Sequence, residues 1–159
     1  MTPERLREVL SYNPWTGEFR WRVQLSPRGC VGNVAGRLTD QSFIKITIDG
    51  RGYLAHRLAW LYMKRQWPAR LINHKNRNRS DNRWPNLREA TSSQIQAHAK
   101  PRRRMSRGVD WVRKDRLFRS RIKVAGRAIC LGYFRTEEQA SRAYRAAARG
   151  AFGEFAAST

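Results

Sequence analysis

The residues best suited to chemistry lie between positions 70 and 90, a stretch rich in Asn, Arg and His. His74 stands near its start, and a histidine can accept a proton from water close to neutral pH. Arginine binds phosphate through two parallel hydrogen bonds, so the arginines of this stretch predict phosphate contacts whether or not a bond is cleaved. They are Arg77, Arg79, Arg83 and Arg88.

The charge of the whole chain agrees with a phosphate-rich partner. Thirty-three Lys and Arg oppose twelve Asp and Glu among 159 residues, which leaves a net charge of +21. Arginine outnumbers lysine, and arginine also recognises the edge of guanine. A membrane surface is the weaker alternative because no long basic amphipathic helix is present. Composition therefore predicts a nucleic acid as the partner and no membrane association; together with the patterns of the two segments described below, it predicts double-stranded DNA.

Composition also limits the cellular setting. No stretch approaches the ~20 apolar residues of a membrane span, and the first ten residues, MTPERLREVL, lack the apolar core of a signal peptide. We therefore expect a soluble cytoplasmic protein. Cys30 and Cys130 have no second Cys or His at metal-ligand spacing, so we expect two reduced, buried thiols and no zinc site.

The first half of the chain predicts two hairpins and a helix. Turn residues at 13–17 precede an aromatic, strand-like run at 18–21. Residues 43–53 alternate apolar and polar side chains around an Asp-Gly turn, which is typical of a hairpin. Residues 54–68 place leucines at helical spacing and end at a proline, so a short amphipathic helix is expected to cover that hairpin.

The middle of the chain is less regular. Residues 70–90 have few apolar positions and predict an ordered loop rather than a core element. Thr91 with Gln94 three residues later predicts a capping box, at the start of a helix that runs to about Lys100. Residues 101–106 form a basic linker, which follows a phosphate backbone or serves only as a charged hinge.

Residues 107–159 predict three strands and one helix. Residues 109–113, 117–124 and 127–134 are strand-like, and a helix is expected after Thr136. In the middle strand the period of two separates apolar from basic side chains. Phe118, Ile122 and Val124 fall on one side, and Arg119, Arg121 and Lys123 on the other. We therefore expect an α+β protein whose last sheet packs on a helix and exposes a basic face.

The landmarks RGV, LGYF, TEEQASRAY and FGEFA in this last segment resemble the ethylene-response-factor (Apetala-type) DNA-binding domain. The resemblance implies a three-stranded sheet docked in the major groove. The residues it implies as DNA contacts are Arg107, Trp111, Arg113, Arg119, Arg121, Lys123 and Arg127. Plant members carry Arg where this chain has Asp110 and an acid where it has Arg121, so their preferred base sequence does not transfer.

The central segment resembles the HNH homing endonucleases, especially the phage branch with this kind of C-terminal domain. The landmarks are His-Arg-Leu-Ala-Trp, a pair that is Asp-His in the family, and Asp-Asn-Arg-x-x-Asn-Leu-Arg. The resemblance implies an HNH-like domain over 1–100, with N-terminal hairpins at 1–53 and a ββα-metal core at 54–100. It also implies a linker at 101–106, a second domain at 107–159, and a phage or prophage origin in a bacterial host.

The HNH resemblance implies metal-assisted hydrolysis of a phosphodiester. His74 would be the general base, and Asn86 would orient the histidine or hold its loop. A divalent ion, Mg²⁺ or Mn²⁺, would bind the acid before the histidine and a polar side chain of the next helix. Those positions are Asn73, a poorer ligand than a carboxylate, and Ile95, which cannot ligate a metal. A ligand shifted to Gln94 or His98 is the alternative.

Three functions follow from these residues. The first is a DNA-binding protein that acts by occupancy on an HNH scaffold whose metal centre is weakened or lost, with His74 as a hydrogen-bonding strut. The second is an active nicking or double-strand endonuclease with His74 as its base. The third is a basic module that binds an acidic host protein. His56, within the predicted helix, is expected to make a structural hydrogen bond, and the sequence leaves the oligomeric state open.

Overall fold

The computed structural model describes residues 1–25, 30–99 and 105–156. The chain forms two compact units, residues 1–90 and 91–159, and both combine helices with small antiparallel strands. The α+β prediction is confirmed. The predicted boundary lies later, within 101–106, most of which falls outside the described residues; the domain assignment stays a prediction.

The first unit places its core between helices and three small sheets. Thr2 caps the first helix by accepting a hydrogen bond from Arg5 N, and Pro3 occupies the first turn. Buried side chains of this helix, such as Leu6, meet those of the second helix, such as Leu58. The elements are α1 (Pro3–Val9), β1 (Leu10–Tyr12), β2 (Phe19–Trp21), β3 (Arg37–Leu38), β4 (Ile44–Ile48), β5 (Arg51–Leu54), α2 (Ala55–Lys64), β6 (Leu71–His74), a 3₁₀ turn (Trp84–Asn86) and β7 (Leu87–Ala90).

The predicted hairpins and helix of this unit are present. β1 pairs with β2, and β4 pairs with β5 across the Asp49-Gly50 turn. Both turn residues have positive φ, as a tight hairpin turn requires. α2 ends at Lys64, before the predicted stop at Pro68. The candidate residues therefore follow a well-packed helix.

The prediction of a loop throughout residues 70–90 is wrong. β6 and β7 form an antiparallel ladder at the two ends of this stretch, and each contributes a buried apolar side chain, Ile72 and Leu87. Each strand has only four residues, LINH and LREA, which do not alternate apolar and polar side chains, and this is why the pattern is missed. The Asn- and Arg-rich residues lie between the two strands.

The second unit is a three-stranded sheet with helices. Thr91 and Gln94 form the predicted capping box of its first helix. The strand order is β10-β9-β8, all antiparallel, and the long last helix contacts all three strands. The elements are α3 (Ser92–His98), β8 (Val109–Val112), β9 (Leu117–Val124), β10 (Arg127–Phe134), α4 (Glu137–Phe152) and a 3₁₀ turn (Gly153–Phe155).

The two thiols differ from expectation. Cys30 and Cys130 are free, but both are exposed, so the prediction that they are buried is wrong. Cys130 lies on β10 directly opposite Arg121, in register with a charged residue rather than a core residue. No helix in the described part of the chain is long and apolar enough to cross a membrane.

Candidate nuclease-like centre and nucleic-acid interface

His74 is the last residue of β6, and its side chain is only 4% exposed. Its Nε2 lies 3.4 Å from Oδ1 of Asn82. The amide nitrogen of Asn82 donates to Ser80 O at 3.1 Å, which leaves Oδ1 as the acceptor for the histidine. Tyr12 Oη donates to the backbone oxygen of Asn82 at 2.7 Å and so helps to hold this residue in place. His74 is therefore fixed, with Nε2 carrying the proton.

A second histidine lies against the first. His56 is on α2, and its ring meets that of His74 edge to face at 5.1 Å between centroids, while Phe43 lies 5.1 Å from His56. Burial lowers the pKa of His56 to about 3, helped by repulsion from His74 when that ring is protonated and from Arg57. Burial also lowers the pKa of His74. Both rings are therefore neutral at pH 7.

The expected structural hydrogen bond of His56 is not seen at its buried Nδ1, which has no partner among the described residues. The ring is instead held by its packing against Phe43 and His74, whose rings also contact each other. His56 thus serves the centre as a packing residue.

Asn86 holds the loop and not the histidine. Its Nδ2 donates to the backbone oxygen of Asp81 at 2.8 Å and to Oδ1 of Asn76 at 3.1 Å. Its Oδ1 accepts from the backbone nitrogen of Asn76 at 3.0 Å, and its backbone oxygen accepts from Lys75 N at 2.9 Å. Of the two roles predicted for Asn86, the geometry matches the second. The histidine is oriented by Asn82 instead.

Asn73 faces an arginine and not an open space for a cation. It lies opposite Arg88 in the β6–β7 ladder, and its Oδ1 accepts a hydrogen bond from Arg88 Nε at 3.2 Å. A divalent ion at that oxygen would stand beside a guanidinium group, and the neutral amide offers it little compensation. This position therefore does not fit a hard divalent cation.

The other possible donors do not complete a metal site. The carboxylate of Asp81 accepts from Arg83 at 2.6 Å and 2.8 Å and from Asn76 at 2.6 Å. These hydrogen bonds, chiefly those from Arg83, hold the pKa of Asp81 at about 2. Ile95 lies in α3 and is apolar. Within the described ranges, no group of three or more His, Cys, Asp or Glu could hold a metal ion.

The predicted phosphate-binding arginines of the loop are exposed at three positions of four. Arg77, Arg79 and Arg83 are exposed, whereas Arg88 is half-buried. The Arg79 guanidinium stacks over the Phe43 ring at 4.9 Å and donates to Gln41 O at 3.2 Å. Arg83 is paired with Asp81. Arg77 has a positive φ in the turn after β6. The loop thus presents charged guanidinium groups, and the contacts of Arg79 and Arg83 hold these side chains in place.

In the second unit the strand register separates two faces as predicted. Val109, Ser120 and Ile122 are buried on the side of the sheet that faces α4. We call the opposite side the outer face; its side chains alternate with the buried ones. The outer face contains Asp110, Arg119, Arg121, Lys123, Ala128, Cys130 and Tyr133.

Not every predicted DNA contact lies on the outer face. Trp111 is opposite Phe118 in the ladder, 4.7 Å between ring centroids, and so belongs to the α4 side, where it is 43% exposed. Arg127 is opposite Val124 and shares that side, although it is exposed. Arg107 donates to the backbone oxygens of Gln96 and Ala97 at the end of α3.

Arg113 is exposed in the turn after β8. Arg119, Arg121 and Lys123 therefore remain together on one face, and Arg113 borders it along the chain.

Two residues that organise these sites were not singled out for that role from the sequence. Asn82 orients His74, and the only signal was its place in the family string, where it is equally a turn residue. Asp110 forms ion pairs with Arg119 and Arg121. The signal for Asp110 was a change from the family pattern in two strands. Plant members have Arg where this chain has Asp110, and an acid where it has Arg121. Both roles depend on register, which the sequence does not reveal.

Comparison with known proteins supports the central assignment. Residues 53–97 match the family model of the HNH endonucleases. A solved structure described as DNA binding and cleavage by the HNH homing endonuclease I-HmuI is similar at 20% sequence identity and a TM-score of 0.39. That similarity covers 52% of this chain and 46% of the other, so this chain spans about half of its length. None of the curated proteins matches the chain.

Proposed function

We propose that this chain, whose residues 53–97 match the HNH endonuclease family, binds double-stranded DNA without cleaving it. The observation that supports the proposal is the hydrogen bond from Arg88 Nε to Asn73 Oδ1 at the position where the family pattern has a metal-binding acid. A guanidinium group already interacts with the oxygen that a cation would need. The chain would act by occupying its target.

The loss of the acid matters because of what hydrolysis requires. Cleavage of a phosphodiester develops negative charge on the phosphate oxygens and on the leaving oxygen, and the family neutralises that charge with a divalent ion. Arg88 carries a single positive charge and is held by Asn73. It can bind a phosphate, but it cannot supply the acidity of a metal-bound water. The centre can therefore bind a phosphate but does not hydrolyse the phosphodiester.

Duplex binding is supported by charge and by its distribution. The net charge of +21 is accompanied by exposed arginines in both units, Arg77 and Arg79 in the first and Arg121 in the second. Phosphate contacts by such residues release counterions, which gives affinity for any duplex. The sheet supplies the surface for base contacts. The proposed setting is the cytoplasm of a bacterial host cell.

A second candidate function, an active endonuclease, is favoured by one observation. Asn82 accepts from Nε2 of His74, which leaves Nδ1 as the acceptor nitrogen of a neutral ring. An oriented, neutral histidine is what a general base requires. The ring is 4% exposed, however, and the neighbouring ligand position is neutral. We therefore rank this function second.

A plasmid assay separates the two functions. We expect the purified chain to leave supercoiled plasmid intact with Mg²⁺ or Mn²⁺, as does a His74→Ala control. Nicking by the unaltered chain that disappears in His74→Ala would overturn the proposal and establish the endonuclease. The variant Asn73→Asp with Ile95→Asn tests whether the scaffold can cut once the family ligands are restored.

Duplex binding itself is tested by salt dependence. The affinity of the full chain for a mixed-sequence duplex should fall linearly with salt on logarithmic axes, and chelation of divalent ions should not change it. Arg77→Ala should reduce the slope by about 1. An affinity that ignores salt would contradict phosphate binding and favour an acidic protein partner.

A further inference from the structure

The carboxylate of Asp110 holds two arginines of the outer face. Its Oδ2 lies 2.8 Å from Nε of Arg121 and 3.3 Å from Nη2 of Arg119. Asp110 is directly opposite Arg119 in the β8–β9 ladder, and Arg121 is the next outer-face residue along β9. The acid is therefore placed by strand register between two cations.

Arg121 is fixed at one end and exposed at the other. Its backbone nitrogen donates to Gly108 O at 2.8 Å, and Asp110 engages its Nε. Its side chain is 51% exposed, while that of Asp110 is 23% exposed. The ion pair is formed at Nε. The terminal edge of the guanidinium, formed by Nη1 and Nη2, carries two parallel donors on a half-exposed side chain.

The chemistry of that edge matches one base. Guanine presents two acceptors, O6 and N7, side by side in the major groove, and a planar guanidinium can donate to both at once. A carboxylate at Nε limits rotation of the group, so less side-chain entropy is lost when the two bonds form. It also partly neutralises the charge, which weakens the competing attraction to phosphates more than the directional bonds to a base.

We propose that Asp110 is a positioning residue that presents the terminal edge of Arg121 to a guanine in the major groove. The inference rests on the proposed duplex binding and adds to it a base preference and the residue pair that sets it. Arg119, whose Nη2 shares the same carboxylate oxygen, keeps Asp110 in place. Lys123 and other outer-face cations would supply phosphate contacts.

A selection from a duplex pool with a randomised central block tests this with the full chain. Asp110→Asn removes the negative charge that holds Arg119 and Arg121. Asp115→Asn, in the exposed β8–β9 turn, makes the same change of net charge outside these ion pairs. Both variants should bind pooled duplex slightly more tightly by charge alone. Only Asp110→Asn should lose the enrichment of guanine, by roughly tenfold against the unaltered chain.

A second measurement isolates the contact. In the duplex selected by the unaltered chain, 7-deazaguanine removes the N7 acceptor and should weaken binding of the unaltered chain several-fold while changing Asp110→Asn little. Arg121→Lys should weaken the guanine preference and keep the salt slope, because an ammonium group still binds phosphate but lacks the planar pair of donors. Asp110→Glu, which keeps the charge, should retain part of the preference, and it replaces Asp110→Asn if that variant fails to fold.

The outcomes are distinguishable. If the full chain shows no salt-dependent duplex binding, the proposed function fails and the inference with it. If it binds without enriching guanine, or if Asp110→Asn enriches guanine as well as Asp115→Asn does, the inference alone is overturned. Guanine enrichment that is lost in Asp110→Asn, weakened in Arg121→Lys and kept in Asp115→Asn supports it.

Discussion

The nuclease-like centre of the first unit and the outer face of the second use the same kinds of polar side chain in opposite ways. In the centre, His74 is bonded to Asn82, Asn73 to Arg88, and Asn86 to the loop that contains Asp81. On the outer face, a single acid holds two arginines, and the side chain of Arg121 is half-exposed. The polar residues of a family motif can therefore be retained for the hydrogen bonds that they make with one another. A binding interface instead needs hydrogen-bond donors that the fold leaves exposed.

The comparison has an energetic consequence. Side chains of the centre are buried, so their loss leaves unsatisfied partners and lowers the free energy of unfolding. Outer-face side chains are mostly exposed, and their ion pairs contribute little to stability. Changes to the buried side chains of the centre should therefore appear in unfolding experiments, and changes on the outer face in DNA binding.

The largest effect is expected at Gly17, where the 13–17 turn meets the loop that carries Asn82. Gly17 has a φ of +77°, and a Cβ there would stand 2.5 Å from Arg83 N and 2.6 Å from the carbonyl carbon of Asn82. Both neighbours are backbone atoms, so no side chain can rotate away. Gly17→Ala should cost more than about 3 kcal/mol in unfolding free energy, measured by urea denaturation.

Gly50→Ala is the matched control. Gly50 has a similar φ of +73°, but an added Cβ would meet nothing within 4 Å. It should cost only about 1 kcal/mol, the penalty of the left-handed conformation itself. Equal losses in the two variants would show that the turn does not pack on the loop as described.

An intermediate effect is expected from pH. The pKa of His56 is about 3 because of burial, against 6.5 for a free histidine, so the unfolded chain binds a proton through a window in which the folded chain does not. Stability should be complete above pH ~6.5 and fall as the pH decreases, by about 1.4 kcal/mol per pH unit for this residue. The loss should reach about 2 kcal/mol near pH 5, and the lowered pKa of His74 adds to it.

Urea unfolding of the full chain at pH ~7 and ~5 measures this loss. His56→Leu removes the titrating ring, so its stability should depend less on pH than that of the unaltered chain, even if the variant is less stable at both values. A pH dependence that is identical in the two proteins would contradict the burial of a neutral His56. Asp81, whose pKa is about 2, does not titrate within this range in the folded state.

The elements that were predicted correctly depend on local signals. The Asp49-Gly50 turn, the Thr91 capping box and the alternation of Arg119, Ile122 and Lys123 each specify their structure within a few residues. The helix α1 was missed although its signals were present, with Thr2 as its cap and a proline in its first turn.

What could not be predicted depends on pairing between distant residues. The ladder between Asn73 and Arg88 places an arginine on the vacated ligand position, and neither residue reveals this alone. The ion pairs of Asp110 with Arg119 and Arg121 likewise require the β8–β9 register. The residue types showed where catalysis or binding could take place. The strand register determines which hydrogen-bond donors stay exposed.

The smallest effect is expected at Ser120, a buried polar residue of the second unit. It is 0% exposed, and its Oγ has no hydrogen-bond partner among the described residues. Burial of an unpaired hydroxyl is unfavourable, so Ser120→Ala should leave stability unchanged or raise it by up to about 1 kcal/mol. Asn82→Ala removes the hydrogen-bond acceptor of His74 and should instead lower the free energy of unfolding by about 1–3 kcal/mol. A clear loss of stability in Ser120→Ala would mean that the hydroxyl of Ser120 is paired in the folded chain.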